Sequence, residues 1–202
     1  DLDLFGPHIA PWRPAQAAPQ ECVALYAGAH GRANGLGTLL DAAAILHARG
    51  ERRLRLLLVG DGAEKPALMT RAAAEGLDNV TFLDPQPRTA IGALHAGCQI
   101  ALHLLADIPD FAEWTAPNKL MDGLAAGRPV ITNQPGRAAR IVAEGPSGIA
   151  VPPGDAAVLA EALMRLADAP ALREAMGQAG RRQAMAQWDQ RLLAERFHAV
   201  AL

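Results

Sequence analysis

Leu54-Arg55-Leu56-Leu57-Leu58-Val59-Gly60-Asp61-Gly62 decides the fold. A short, nearly continuous apolar run that stops at a glycine-rich turn leaves no polar face, so it predicts a strand buried on both sides. Five further runs share this character, at residues 23–26, 80–83, 100–104, 130–132 and 149–151. Between them lie apolar residues at helical spacing, such as Leu39, Leu40, Ala43 and Leu46, and later Leu159, Leu163 and Met164. Buried strands alternating with amphipathic helices predict a parallel sheet covered on both faces. The expected fold class is α/β: a doubly wound, Rossmann-like, six-stranded parallel sheet. Residues 156–167, 171–187 and 190–199 predict consecutive helices without intervening strands, packed outside the sheet or reaching toward a neighbouring domain.

Composition bounds the rest. The chain has 202 residues, 50% hydrophobic and 20% charged, which excludes wholesale disorder and leaves enough apolar surface for one sizeable core. A formal net charge of −2, without blocks of like charge, argues against a general nucleic-acid or polyanion partner. Cys22 and Cys98 are too few for a disulfide framework. No apolar run approaches the roughly 20 residues of a membrane helix, and the first residues do not form a signal segment. The chain opens on Asp1 and is expected to be a piece of something larger. Residues 1–21 contain Pro7, Pro11, Pro14 and Pro19 and predict a linker, 22–187 the domain, and 188–202 a terminal helix.

Three stretches can carry chemistry. The turn after the first strand, residues 28–37, holds Gly28, Gly31, Gly35 and Gly37, with His30, Arg32 and Asn34 among them. Such a loop lets backbone approach a phosphate at a helix N-terminus, or is kept small only for packing. Its spacing is not G-x-G-x-x-G, which disfavours a dinucleotide dehydrogenase. In the second stretch, Gly60-Asp61-Gly62, the expected role is structural: a tight turn, with Asp61 capping the following helix and Lys65 solvated.

The third stretch runs from Trp114 to Val130. Pro117 suits a first helical position and Gly127 a C-terminal stop. Lys119 then lies in the first turn, where the helix dipole disfavours a cation. The chain has only two lysines among its 19 basic residues, so a Lys there suggests a bound anion. The alternative is a solvated Lys119 paired with Asp122. Asn118 and Asp122 share a helix face, and the Asp122 carboxylate can accept two hydroxyl hydrogen bonds from a ribose. The preceding stretch, about residues 105–116, is long for a loop and carries Asp107, Asp110 and Glu113. Other constellations carry less. His95, Cys98 and His103 lack a fourth zinc ligand, the D-x-D at residues 1–3 lies at a chain terminus, and Ser147 is not in a nucleophile elbow.

Taken in order, residues 1–7, the first glycine loop, residues 58–62, 79–83, 116–119, 125–130 and 151–155 resemble the C-terminal half of family-4 retaining glycosyltransferases. The similarity is greatest to the subgroup with a Pro-Asn-Lys helix start, bacterial enzymes that build surface polysaccharide from UDP-linked amino sugars. The resemblance implies one half of a GT-B fold, the half that binds the nucleotide-sugar, with the acceptor bound by an N-terminal domain outside this chain. Residues 1–21 would be the remnant of the interdomain linker, and the terminal helix would pack toward the other domain. It implies hexosyl transfer from a UDP-sugar with retention, to lipopolysaccharide or another surface-glycan acceptor, and no activity from this half alone. It also implies no metal or other cofactor, no nucleic-acid partner, and a cytoplasmic protein whose membrane association, at the inner face, would come through the other half.

The family's Glu-x7-Glu pair falls on Trp114 and Asp122, so Asp122 keeps a carboxylate and Glu113 is the candidate substitute for the first Glu. His30 and Asn34 stand near the family's phosphate-binding Arg and Lys, leaving Lys119 to take the diphosphate. The implied site is therefore Lys119 and Glu113 as catalytic residues, with Gly28, His30, Gly31, Gln86, Pro117, Asn118 and Asp122 binding substrate. Gln86, after the third strand, would face the base. Two rivals are a UDP-sugar 2-epimerase of the same fold and a non-catalytic nucleotide-binding module.

Overall fold

A computed structural model of the chain describes residues 1–108 and 118–201. The strands are β1 (Cys22–Ala27), β2 (Leu54–Val59), β3 (Val80–Leu83), β4 (Ile100–His103), β5 (Val130–Thr132) and β6 (Gly148–Ala150). They form one parallel sheet in the order β3-β2-β1-β4-β5-β6. The described helices are α1 (Leu36–Ala48), α2 (Lys65–Ala74), α3 (Arg88–Gly97), α4 (Asn118–Ala125), α5 (Arg137–Glu144), α6 (Ala156–Asp168), α7 (Pro170–Gln187) and α8 (Gln190–Ala201). This is the six-stranded Rossmann-like architecture that the apolar runs predict.

Alternation along the strands divides the core. Ala24, Tyr26, Leu56, Leu58, Ile100 and Leu102 pack on one face against Leu39 and Leu46 of α1 and Leu159, Leu163 and Leu166 of α6. On the other face, Ala101 and Val130 meet Leu120 and Leu124 of α4, and Val23, Leu25, Leu57 and Val59 meet Leu94 of α3. Each such leucine, removed from water, stabilises the fold by roughly 1.5–3 kcal/mol before entropy is counted. The last strand begins at Gly148, one residue earlier than the apolar run 149–151, because Gly148 lies against β5: a Cβ there would stand 1.9 Å from the Val130 carbonyl oxygen.

Arginines close three helix ends. Arg128 donates to the His95 and Ala96 carbonyls at the end of α3, Arg173 to Leu166 and Ala167 at the end of α6, and Arg181 to Ala125 at the end of α4. Carbonyls left over at a helix C-terminus favour a forked cation there. Gly127 ends α4 as its sequence position predicts, at φ +69°, with its N–H on Leu124 and the Arg128 N–H on Gly123.

Residues 1–21 contain no helix or strand but are pinned to the domain. Phe5 is fully buried, the Trp12 N–H donates to Ala93, and Arg13 donates to Ala18 and Glu21 carbonyls. Two glycines of α3 permit the approach: a Cβ on Gly92 would lie 2.1 Å from the Leu4 carbonyl oxygen, and one on Gly97 2.3 Å from that of Trp12. At the far end, Arg191 of α8 pairs with the exposed Asp3.

The strand order positions the site. The chain runs outward from β1 to β3 and then crosses back to β4 on the other side of β1. At such a reversal the loops after neighbouring strands diverge and leave a crevice beyond their carboxyl ends.

Candidate functional site

The crevice is a cleft of about 380 Å³. The turn after β1 supplies Gly28 and Ala29, the turn after β2 Gly60 and Asp61, and the loop after β3 Pro85 and Gln86; Arg88 of α3 and Asp122 of α4 complete it. Three residues singled out from the sequence, Gly28, Gln86 and Asp122, thus meet in one cavity. A larger cavity of about 640 Å³ lies at the opposite, amino-terminal ends of β4 and β5. Its Arg128, Arg173 and Arg181 are already engaged with helix carbonyls.

The glycine turns are nested. A Cβ on Gly60 would stand 2.0 Å from the Gly28 carbonyl oxygen, and one on Gly62 2.5 Å from that of His30, so the second turn supports the first by direct backbone contact. The His30 N–H donates to the Asp61 carbonyl, and the Glu64 N–H to the His30 carbonyl.

Lys119 lies across Gly28. A Cβ on Gly28 would fall 2.1 Å from Lys119 Cε, so the missing side chain makes room for the lysine. Nζ donates to Asn34 Oδ1 at 3.3 Å and sits 5.3 Å from the centre of the Tyr26 ring. Burial lowers its pKa, opposed by the nearby Asp122. The ammonium is therefore held by one long hydrogen bond and a ring face among the described residues, with donor capacity to spare. Asn34, in the loop where the resemblance implies phosphate-binding cations, instead accepts from Lys119.

Asp122 does not pair with Lys119. Arg88 takes both its oxygens, Nη1 to Oδ2 at 2.7 Å and Nη2 to Oδ1 at 2.9 Å. The guanidinium also lies 4.8 Å from the centre of the Phe5 ring. Arg88 was not among the residues predicted for the site. The signal was nonetheless present, since Arg88 is a cation at the first position of a helix, the same anomaly that draws attention to Lys119.

Several expectations change. The His30 ring is fully buried rather than presented to the cleft, with Tyr26 and Phe82 at 5.9 and 6.2 Å. Burial, with the positive charges of Lys65 and Lys119, lowers its pKa. Lys65 is not solvated: it is buried, and its ammonium donates to the Gly60 and Leu83 carbonyls and to Asp84. Asp61 does not cap α2; its carboxylate accepts the adjacent Gly62 N–H, and α2 starts after Glu64 without a side-chain cap. Gly31 is extended at φ −110°, and a Cβ there would meet only Asn34 Nδ2, at 3.9 Å, so packing alone does not require a glycine. Gln86 is at the cleft edge and donates to the Asp84 carbonyl. Asn118 is exposed at the start of α4. Glu113, Pro117, Trp114 and Asp110 lie outside the described residues.

The His95, Cys98 and His103 group is packing. Cys98 Sγ donates to the His95 carbonyl, His103 bonds Thr132 Oγ1 at 3.0 Å, and burial pushes His95 down to about 3 and His103 to about 4. Among the described residues, no three His, Cys, Asp or Glu side chains form a metal-binding group.

Comparison with known proteins shows the family. Residues 21–169 match the family described as glycosyl transferases group 1. The chain belongs to that family. Among the relatives of this glycosyltransferase domain is an alpha-D-kanosaminyltransferase from Streptomyces kanamyceticus, 29% identical over 157 residues, or 77% of this chain and 39% of the relative. A sucrose-phosphate synthase from Thermosynechococcus elongatus superposes with a TM-score of 0.80 at 26% identity, over 100% of this chain and 50% of that one. Anabaena HepE in complex with UDP and glucose superposes with a TM-score of 0.79 at 19% identity, over 100% of this chain and 54% of that one. The glycosyltransferase domain thus spans about half the length of these proteins or less.

Proposed function

We propose that the domain binds the nucleotide-sugar donor of a retaining glycosyltransferase, with a UDP-sugar as donor. The observation that carries this is Lys119, stretched over Gly28, itself a lining residue of the crevice, with an ammonium beside the start of α4 that makes one long hydrogen bond among the described residues. The start of a helix, with its dipole, and an ammonium lie side by side here, a pairing that suits a diphosphate. Asp122, on the adjoining wall, suits a ribose, and Gln86, at the outer edge, suits the base. The fold shared with the UDP-bound HepE supports UDP as the nucleotide to test first.

As the glycosidic bond breaks, negative charge builds on the departing diphosphate. A pre-oriented ammonium and N–H groups stabilise that charge more in the transition state than in the ground state, which is how this half would accelerate transfer. Glu113 is the proposed second carboxylate of the site. The Pro-Asn-Lys subgroup reading adds a hexosyl donor, a lipopolysaccharide or other surface-glycan acceptor held by a second domain, no transfer by this half alone, and a cytoplasmic location. Among the described residues no helix is long and apolar enough to cross a membrane.

Calorimetric titration with UDP, UMP, uridine, GDP and ADP tests the proposal. UDP should bind more tightly than UMP and uridine, and more tightly than GDP or ADP. Equal affinity for UDP and uridine would remove the diphosphate from Lys119, and a preference for a purine nucleotide would overturn the UDP assignment.

A further inference from the structure

We propose that Arg88 is a positioning residue that fixes the Asp122 carboxylate for recognition of a vicinal diol; this rests on the nucleotide-binding function proposed above. The two side chains come from different helices, 34 residues apart in sequence, and meet only in the cleft they both line. Their contact is a fork-to-fork pair of two short bonds, which sets the carboxylate plane as well as its place. The Asp122 side chain is only 14% exposed, whereas Arg88 is 53% exposed, so the acceptor is sheltered and its clamp reaches in from the rim. Beneath the guanidinium lies Phe5, wholly buried and itself edge-on to His95, which gives the clamp a rigid floor.

The chemistry of the pair selects its ligand. An ionised carboxylate has about four lone-pair positions and no donor. Arg88 occupies one on each oxygen, leaving one acceptor position on each for a hydroxyl donor. Two adjacent hydroxyls on a five-membered sugar match two adjacent acceptors held in one plane. Aspartate is one methylene shorter than glutamate, and the clamp holds this shorter carboxylate in a fixed place at the wall.

The test is calorimetric titration of the wild-type chain, Arg88→Ala, Arg88→Lys and Asp122→Ala with UDP and 2′-deoxy-UDP, with a thermal melt of each variant. Wild type should favour UDP by about 10- to 150-fold, the worth of a hydrogen bond to a charged group. Arg88→Ala should lower UDP affinity while leaving 2′-deoxy-UDP nearly unchanged, so that the preference falls to that of Asp122→Ala. Arg88→Lys, which keeps the charge but loses the fork, should lose most of the preference as well. A preference retained in Arg88→Ala, or equal losses for both nucleotides, overturns positioning by Arg88. A wild-type preference restored in full by Arg88→Lys overturns it too, assigning charge alone. If Asp122→Ala keeps the preference, or wild type has none, the ribose role of Asp122 fails, and the proposal for Arg88 fails with it. If wild type binds neither nucleotide, the donor-site proposal itself fails.

Discussion

Replacing Gly28 by alanine should disable Lys119 without touching it. The new methyl carbon would stand 2.1 Å from Lys119 Cε and 3.0 Å from Nζ, far inside ordinary contact, and the flexible lysine is what must move. The φ of +157° adds backbone strain on the order of 1 kcal/mol to the folded state. Displaced from Asn34 and Tyr26, the ammonium would leave the place proposed for the diphosphate. One charge-assisted hydrogen bond contributes roughly 1.5–3 kcal/mol, so UDP affinity should fall about 10- to 150-fold in Gly28→Ala and by a similar factor in Lys119→Ala. Uridine affinity should stay within about twofold of wild type in both variants, because no diphosphate is involved. The decisive sample is the double variant, titrated under the same conditions. If Gly28 acts through Lys119, the double variant binds UDP no more weakly than Lys119→Ala alone, a coupling energy as large as the single effect. Losses that multiply would show that Gly28 and Lys119 act independently, and the packing explanation for the glycine would be wrong.

Two further outcomes test the scaffold. Lys65→Met should destabilise the domain by about 2–3 kcal/mol in urea denaturation, because the Gly60 and Leu83 carbonyls lose a buried donor, whereas Asp84→Asn should cost far less, since the Asp84 side chain is 91% exposed. Acid should weaken the fold before most carboxylates titrate. His95 and His103, pushed down chiefly by burial to about 3 and about 4, stay neutral in the folded chain while an unfolded histidine takes a proton near 6.5. Unfolding then takes up protons, and stability falls as the pH drops from about 6.5 toward 4, by up to roughly 1.4 kcal/mol per pH unit for each histidine. His103→Asn should flatten that slope between pH 6 and 5; an unchanged slope would mean that His103 is not the group responsible.

The strands were legible because a strand buried on both faces must be apolar throughout, and Leu54–Val59 has no other stable place. Gly127 and Leu120 were legible for the same local reason: a helix stop and a core face depend on neighbours in sequence. The site was legible only in part. Gly28, Gln86 and Asp122 do share a cleft, since Gly28 and Gln86 follow strands and Asp122 lies in a helix whose places the topology sets. Pairings were not legible. Whether Asp122 meets Lys119, three residues away, or Arg88, 34 residues away, depends on where α3 and α4 sit relative to the sheet, and no sequence period encodes that. Lys65 and His30 were misplaced by the same blindness. A lysine in a first helical turn is ordinarily solvated, but α2 starts against the ends of β2 and β3, whose carbonyls capture it. A histidine in a glycine loop is ordinarily exposed, but the nested turns fold it inward over Phe82.

The scarcity of lysine gives the site a chemical consequence. Arginine does the work of closing helix ends, and only Lys65 and Lys119 carry side-chain amines. A neutral amine attacks acylating and reductive-alkylating reagents, whereas guanidinium at neutral pH does not. Lys65 is enclosed and hydrogen-bonded, whereas Lys119 is only partly covered and holds its proton less tightly than a solvated lysine. Covalent labelling would therefore fall, among the side chains, on Lys119. The extent of its modification in a mass spectrum then reads whether a ligand covers Lys119 where it lies over Gly28.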